Sequence, residues 1–348
     1  MKFIVRAGTV LLSLLFLLSC TKEARTVYVV GDEDEETRGL VYFVTGKGSL
    51  GDIGYMDDMY RGVVRGAQGC NMMLSLVELP EDTLKAVAAI ECLLDYMRDG
   101  EPERKALVVL AGDDLEPMLH RYDSLLTRAS NVDFLLAESS DTTLPLYTLR
   151  IPQYGIWYQA GRLVAEGFDD VDKILSVRAN RSNAILDEMY DGFTAAITDS
   201  GPDKAVTDIS LSEGTGGYDE AALAYKMSYK LEESFQLLLP LCGGTAQGFF
   251  RYNRENSASF YTLGVDCDMQ LYSPLVPLSV VKNIGNAVED WIFRWWSGEE
   301  MPSHEDLGLS SGYPEIVIAD AYKDRLGGIA GKYYDKALEE ERKYEGKK

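Results

Sequence analysis

From residue 38 onward, short apolar runs take turns with longer amphipathic ones, and this order constrains the fold more than any other feature of the chain. Residues 40–44, 72–77, 106–110 and 132–137 read as strands. Between them, residues 57–68, 82–97 and 115–128 space their apolar side chains as helices do. A strand that is apolar on both faces must be covered on both faces. That calls for a parallel sheet between helices. The second half repeats the theme, with helices over 158–166, 184–198, 219–231 and 288–296 and strands over 206–211, 235–241 and 260–265. Two doubly wound halves predict an α/β protein of two Rossmann-like lobes joined by a hinge, with a ligand in the cleft that faces the strand C-termini.

The first twenty residues carry a different instruction. Lys2 and Arg6 precede an apolar run over 10–18, which ends at Ser19-Cys20. A positive start, a short apolar centre and a small residue before the cut describe a secretory signal. The run is too short to span a bilayer comfortably. Leu17-Leu18-Ser19-Cys20 also resembles a bacterial lipobox, in which Cys20 is acylated and becomes the new N-terminus. The polar stretch that follows, with an acidic run over 32–36, reads as a flexible tether. The expected division is a signal peptide over 1–19 and a tether over 20–37, then an N-terminal lobe of 38–147 plus 281–303. A C-terminal lobe of 148–280 plus 304–325 follows, and a charged helix over 326–348, packed on the surface or frayed, ends the chain.

The formal net charge is −22, with 56 acidic residues against 34 basic ones. Nucleic-acid binding needs a basic footprint and is excluded as a partner class. The same charge gives no grip on anionic lipid, so acyl chains on Cys20 have to hold the protein to a bilayer. Besides Cys20 there are Cys70, Cys92, Cys242 and Cys267, none in a C-x-x-C pair, and the two histidines are His120 and His304. A zinc site of Cys and His ligands and a His-based catalytic triad therefore have little to draw on. Neither G-x-S-x-G nor H-E-x-x-H occurs. The expectation is a binding protein without catalytic residues, metal or cofactor. One motif points elsewhere: Gly46-Lys47-Gly48-Ser49-Leu50-Gly51 matches G-x-G-x-x-G after a strand, and Glu78 ends the next strand. A dinucleotide-dependent oxidoreductase is therefore an alternative reading, although Asp52-Ile53-Gly54 separates the third glycine from the helix that should start there.

The stretch over 239–283 is the richest in site-like features. A strand ends at Cys242-Gly243-Gly244-Thr245, leaving a loop with little side-chain bulk. A second ends at Gly264-Val265-Asp266-Cys267-Asp268, where a carboxylate can accept hydrogen bonds from ligand hydroxyls, and Lys282 follows an expected crossover between the lobes. The segments Gly243-Gly244-Thr245-Ala246-Gln247-Gly248, Gly264-Val265-Asp266-Cys267-Asp268 and Ser279-Val280-Val281-Lys282-Asn283 resemble, in order, those of the basic membrane protein family of substrate-binding lipoproteins. That family includes purine-nucleoside receptors of ABC importers. Asp52 with Gly54-Tyr55-Met56 resembles its first loop, the run from Val132 to Glu138 its strand ending in a ligand acid, and Asp191-Gly192-Phe193 its G-F segment. The resemblance implies the type I periplasmic-binding-protein fold. It makes Tyr55 the stacking platform and Tyr218 a second one, with Asp52, Glu138, Asp266 and Lys282 as polar contacts. Asp57 and Gly244 complete the candidate set. Two positions depart from the family pattern: Met56 stands for an Asn, and Glu138 for an Asp. The implied ligand is nucleoside-like, the implied partners are an ABC permease and the bilayer through Cys20, and the implied location is extracytoplasmic. A surface sensor lipoprotein of the same fold, with no transport role, is the second alternative.

Overall fold

The computed structural model describes residues 25–29, 39–46, 50–112, 115–201, 203–256 and 260–347. Cys20 and the middle of the glycine motif, Lys47, Gly48 and Ser49, lie outside them. The chain divides into two compact units. Unit one takes Met1–Ser49, Tyr60–Leu149 and Val288–Glu305; unit two takes Leu50–Met59, Arg150–Ala287 and Asp306–Lys348.

In unit one the chain runs β1 (Arg25–Val29), β2 (Gly39–Gly46), α1 (Tyr55–Gly69), β3 (Met72–Leu79), α2 (Thr83–Gly100), β4 (Lys105–Ala111), α3 (Leu115–Arg121), β5 (Val132–Ala137) and β6 (Tyr147–Arg150). The sheet order is β1-β3-β2-β4-β5-β6, with residues 304–306 added beyond β6. Strands β2 to β6 pair in parallel; Val41 of β2, for example, lies opposite Leu74 and Leu107. Val41, Phe43 and Val44 are fully buried, as a strand covered on both faces requires. Two expectations change here. Arg25–Val29 falls inside the expected tether yet forms an edge strand antiparallel to β3, because Thr26-Val27-Tyr28-Val29 is a β-branched and aromatic run. The helix expected over 115–128 stops at Arg121. Tyr122 leaves helical geometry with φ −128°, and a separate turn of 3-10 helix follows at Asp123–Thr127.

Unit two runs α4 (Tyr154–Gly167), β7 (Lys173–Arg178), α5 (Ala184–Asp199), β8 (Ala205–Ser210), α6 (Ala221–Leu231), β9 (Leu237–Leu241), α7 (Ala246–Asn256), β10 (Tyr261–Thr262), β11 (Gly264–Asp266) and β12 (Leu278–Val281). Helix α8 (Ile284–Ser297) leads back into unit one, where Trp295 Nε1 donates to Asp133 at 2.8 Å and the Lys105 ammonium sits 4.0 Å from the Trp295 ring. The return is through β13 (His304–Asp306), β14 (Glu315–Ile318), α9 (Lys323–Ala330) and α10 (Tyr334–Glu345). Strands β8-β7-β9-β10 form a parallel sheet, while β11-β12-β14 form a smaller one in which β14 is antiparallel. The single strand expected over 260–265 is thus two strands in two sheets. Gly264 allows the transfer: a Cβ there would stand 2.1 Å from Ser279 Oγ on β12. Both units enclose their own apolar core, around Leu94, Val108, Leu110 and Leu136 in unit one and around Trp157, Phe193, Phe249 and Phe260 in unit two.

The C-terminal helix is not a frayed appendage. The Tyr344 ring stacks on Tyr154 of α4 with centroids 4.2 Å apart. The buried Arg150 guanidinium binds Glu188 of α5 at 2.5 Å, Glu345 of α10 at 2.8 Å and Asp306 at 3.3 Å. Glu341 is 7 % exposed and accepts the Leu309 N–H at 3.0 Å.

Candidate functional site

Strand order locates the sites before any side chain is considered. In an open parallel sheet, ligands bind beyond the strand C-termini where the order reverses. In unit two that point lies between β7 and β9, so the loops Ala179–Asn183 and Cys242–Thr245 flank it. The glycine-rich segment picked out in the sequence is one of them. The other, after β7, is the one the sequence reading misses.

The loop after β7 is held by its own polar groups. Asn180 is fully buried; it donates to Gly216 O at 2.9 Å and accepts from the Ser182 and Asn183 N–H groups, both at 3.1 Å. Asn183 caps α5 by accepting from Ile185 N at 2.9 Å, and its amide donates to the Tyr218 hydroxyl at 2.8 Å. At the end of β7, the buried Arg178 guanidinium is clamped by Asp208 and Asp187 and lies 4.7 Å from the Tyr190 ring. Tyr218 in turn covers the glycine loop. Its carbonyl accepts from Thr245 N at 2.9 Å, and a Cβ on Gly243 would stand 3.2 Å from its ring. Gly243 has φ 50°, and Gly217 has φ 95° with no room for a side chain, since a Cβ would lie 2.1 Å from Ala179 O.

The loop Leu50–Met59 belongs to the same unit. A Cβ on Gly244 would stand 3.5 Å from Asp52 Cα, and Gln247 donates to Gly51 O at 2.8 Å. Here two of the expected residues also have a structural role. Asp52 accepts from Gly54 N at 2.9 Å, Met56 N at 3.0 Å and Asp57 N at 3.2 Å, so its carboxylate caps α1. Asp57 reaches back to Gly51 N at 2.7 Å and Ile53 N at 3.0 Å. The two acids close the loop on itself, as a reciprocal cap does. Burial pushes the Asp52 carboxyl above its ordinary value, and the three backbone donors pull it back only in part.

Tyr55, Asp266 and Lys282 converge. Lys282, 3 % exposed, places its ammonium 4.9 Å from the Tyr55 ring. Its backbone N–H donates to Asp266 O at 2.9 Å, and Cys267 Sγ lies 3.5 Å from Gly54 O. Asp266 and Asn283 sit at φ 65° and 58°, and Ile53 at 54°. Three non-glycine residues in this region, at the ends of neighbouring strands and in the loop against them, are the sort of backbone strain that collects at ligand sites. Seven of the eight expected residues therefore lie in unit two and are linked by these contacts, with Gly243 and Gly54 as the joints. The eighth, Glu138, is in unit one, just beyond β5; it too has positive φ, 61°, and its N–H donates to Leu149 O at 2.6 Å. A pocket of about 620 Å³ also lies in unit two, bounded by α6 and α7 and lined by Ile53, Tyr225, Gln247, Arg251, Arg254 and Tyr272. None of the eight residues lines it; the strand-end cluster carries the more specific chemistry.

Among the described residues, the glycine motif after β2 lacks the helix start at its third glycine that a dinucleotide site of the usual kind uses. Helix α1 opens at Tyr55, beyond a loop closed by Asp52 and Asp57, and not at the third glycine, Gly51, which has φ 91°. Among the described residues no cysteine is in a disulfide, and no helix is long and apolar enough to cross a membrane.

Solved structures share this architecture. An ABC transporter solute-binding protein from Aeropyrum pernix K1 superposes with a TM-score of 0.67 at 17 % identity, covering 88 % of this chain and 86 % of its own. The fold is settled by that likeness. A transcriptional activator of the comK gene from Bacillus halodurans has a TM-score of 0.62 at 13 % identity, with coverages of 85 % and 98 %. A periplasmic solute-binding protein from Actinobacillus succinogenes 130z, with bound D-allose, has a TM-score of 0.61 at 11 % identity, with coverages of 82 % and 99 %. No protein-family model matches the chain, and a search of curated proteins finds no relative.

Proposed function

We propose that the protein is a solute receptor of an ABC importer, anchored outside the cytoplasm through acylated Cys20, and that it binds a nucleoside-like solute. The observation that carries this reading is the cluster of Tyr55, Asp266 and Lys282 beside the strand ends of unit two. An aromatic face offers stacking to a flat base. A carboxylate and a buried ammonium offer complementary hydrogen bonds to ring hydroxyls. Asp266 and Lys282 are the polar pair of that cluster, and Asp52 and Asp57 beside it both cap the loop and remain candidate contacts. The shared fold includes a protein with bound D-allose, so a free monosaccharide is the second ligand class. Calorimetric titration of the ligand-free protein with nucleosides, nucleobases and monosaccharides tests the reading. Binding of a nucleoside, lost in Asp266→Ala, supports it. Binding of monosaccharides alone replaces the ligand class, and no binding to any of the panel overturns the receptor reading. Radiolabelled palmitate incorporation, abolished by Cys20→Ser, tests the anchor.

A further inference from the structure

We propose that Glu116, His120 and Asp141 in unit one form a binding site for a divalent transition-metal ion, with Zn²⁺ as the ion of choice. One donor atom from each of the three lies within 4.8 Å of the other two. Glu116 and His120 are four residues apart on α3, so their side chains share a face of the helix. Asp141 comes from the loop between β5 and β6, whose turn is fixed before any ion arrives. Its backbone N–H donates to Ser139 Oγ at 3.0 Å, and one of its carboxylate oxygens accepts from the Thr143 N–H at 2.6 Å and the Thr143 hydroxyl at 2.7 Å.

The other oxygen, Oδ2, faces the second ligand candidate. The Asp141 side chain is 8 % exposed, and Oδ2 is sealed from solvent, paired with His120 Nε2 at 2.6 Å. An ion bonded to it, to the imidazole nitrogen and to Glu116 would take the place of that pair. One imidazole and two carboxylates, with no thiolate, suit zinc and its neighbours in the first transition row better than calcium or magnesium. Metal–ligand bonds of roughly 2.0–2.2 Å place neighbouring ligand atoms on one ion about 3 Å apart. Nε2 and Oδ2 therefore part slightly as the ion enters, and the Glu116 carboxylate moves in. His120, 47 % exposed, has the freedom to turn. Three protein ligands leave a coordination position for water. The ion would tie α3 to the loop leading into β6.

The test uses the tag-free protein, stripped with chelator and dialysed. Titration calorimetry with ZnCl₂ should show one site, and the melting temperature should rise with Zn²⁺. Co²⁺ should bind with visible d–d absorption. His120→Ala and Asp141→Asn should each weaken binding roughly tenfold or more, with unchanged circular dichroism and unchanged solute binding. His120 is half exposed, so its loss leaves the fold intact and keeps the test decisive. No zinc uptake by the wild type, or wild-type affinity in both variants, overturns the proposal and leaves a plain His–carboxylate pair.

Discussion

At the scale of single residues, the candidate site was legible where function and strand ends coincide. Gly244, Asp266 and Lys282 each follow an apolar run directly, and a reader of hydropathy can see where a run stops. The capping role of Asp52 and Asp57 was hidden for a physical reason. A carboxylate ahead of a helix looks the same in sequence whether it faces a ligand or caps the helix, and only the backbone donors at Gly54, Met56 and Asp57 decide it. Arg178, Asn180 and Asn183 were not legible, since the partners that fix them at Gly216, Tyr218 and Asp208 lie some thirty residues further on. Three substitutions separate architecture from recognition. Gly217→Ala forces a Cβ against the Ala179 carbonyl at φ 95°, and should cost about 2 kcal/mol or more by urea unfolding. Gly214→Ala, where nothing lies within 4 Å, should be nearly neutral. Lys282→Met keeps the apolar stem over Tyr55 and removes the charge. It should leave the melting temperature within a few degrees while weakening solute binding by about tenfold or more, read by calorimetry.

At the scale of elements, the pattern of apolar runs gave the wound α/β order but passed over β7. Its apolar stretch, Ile174-Leu175-Ser176-Val177, is short and lies between two helices, so no long run announces it. Splitting of the 260–265 strand was equally hidden, because the sheet that each half joins is decided by partners, Leu237 and Ser279, far from both. The last helix, α10, offers a test by pH. Burial raises the Glu341 carboxyl to about 7, and the neighbouring Glu345 and Glu188 carboxylates push the same way against the Leu309 N–H. Between the ordinary carboxylate range and pH 7 the folded protein holds a proton that the unfolded chain has lost. Stability therefore falls as pH rises through that window, by roughly 1.4 kcal/mol per unit of difference. Glu341→Gln should remove this decline, so that melts from pH 4.5 to 8 are flatter and the variant is the more stable at pH 8. An unchanged slope would dismiss the role of Glu341.

At the scale of the whole molecule, the charge of −22 sets the dominant long-range term. Like charges on a compact body repel one another, and salt screens them over a Debye length of about 10 Å at 0.1 M. Raising NaCl from about 0.01 to 0.2 M should therefore raise the melting temperature, because the clamps on Arg150 and Arg178 are buried and screened less. A falling melting temperature would show that surface ion pairs outweigh the net repulsion.

The interleaving of the chain has a consequence for its birth. Unit one is completed only by Val288–Glu305, and unit two only by Asp306–Lys348, whose α10 supplies Glu345 to Arg150. On a ribosome adding roughly 5–20 residues per second, strands made early wait tens of seconds for these partners. Throughout that wait the nascent chain is a client for chaperones and a target for proteases. Such late closure is compatible with export before folding, as the proposed extracytoplasmic location requires.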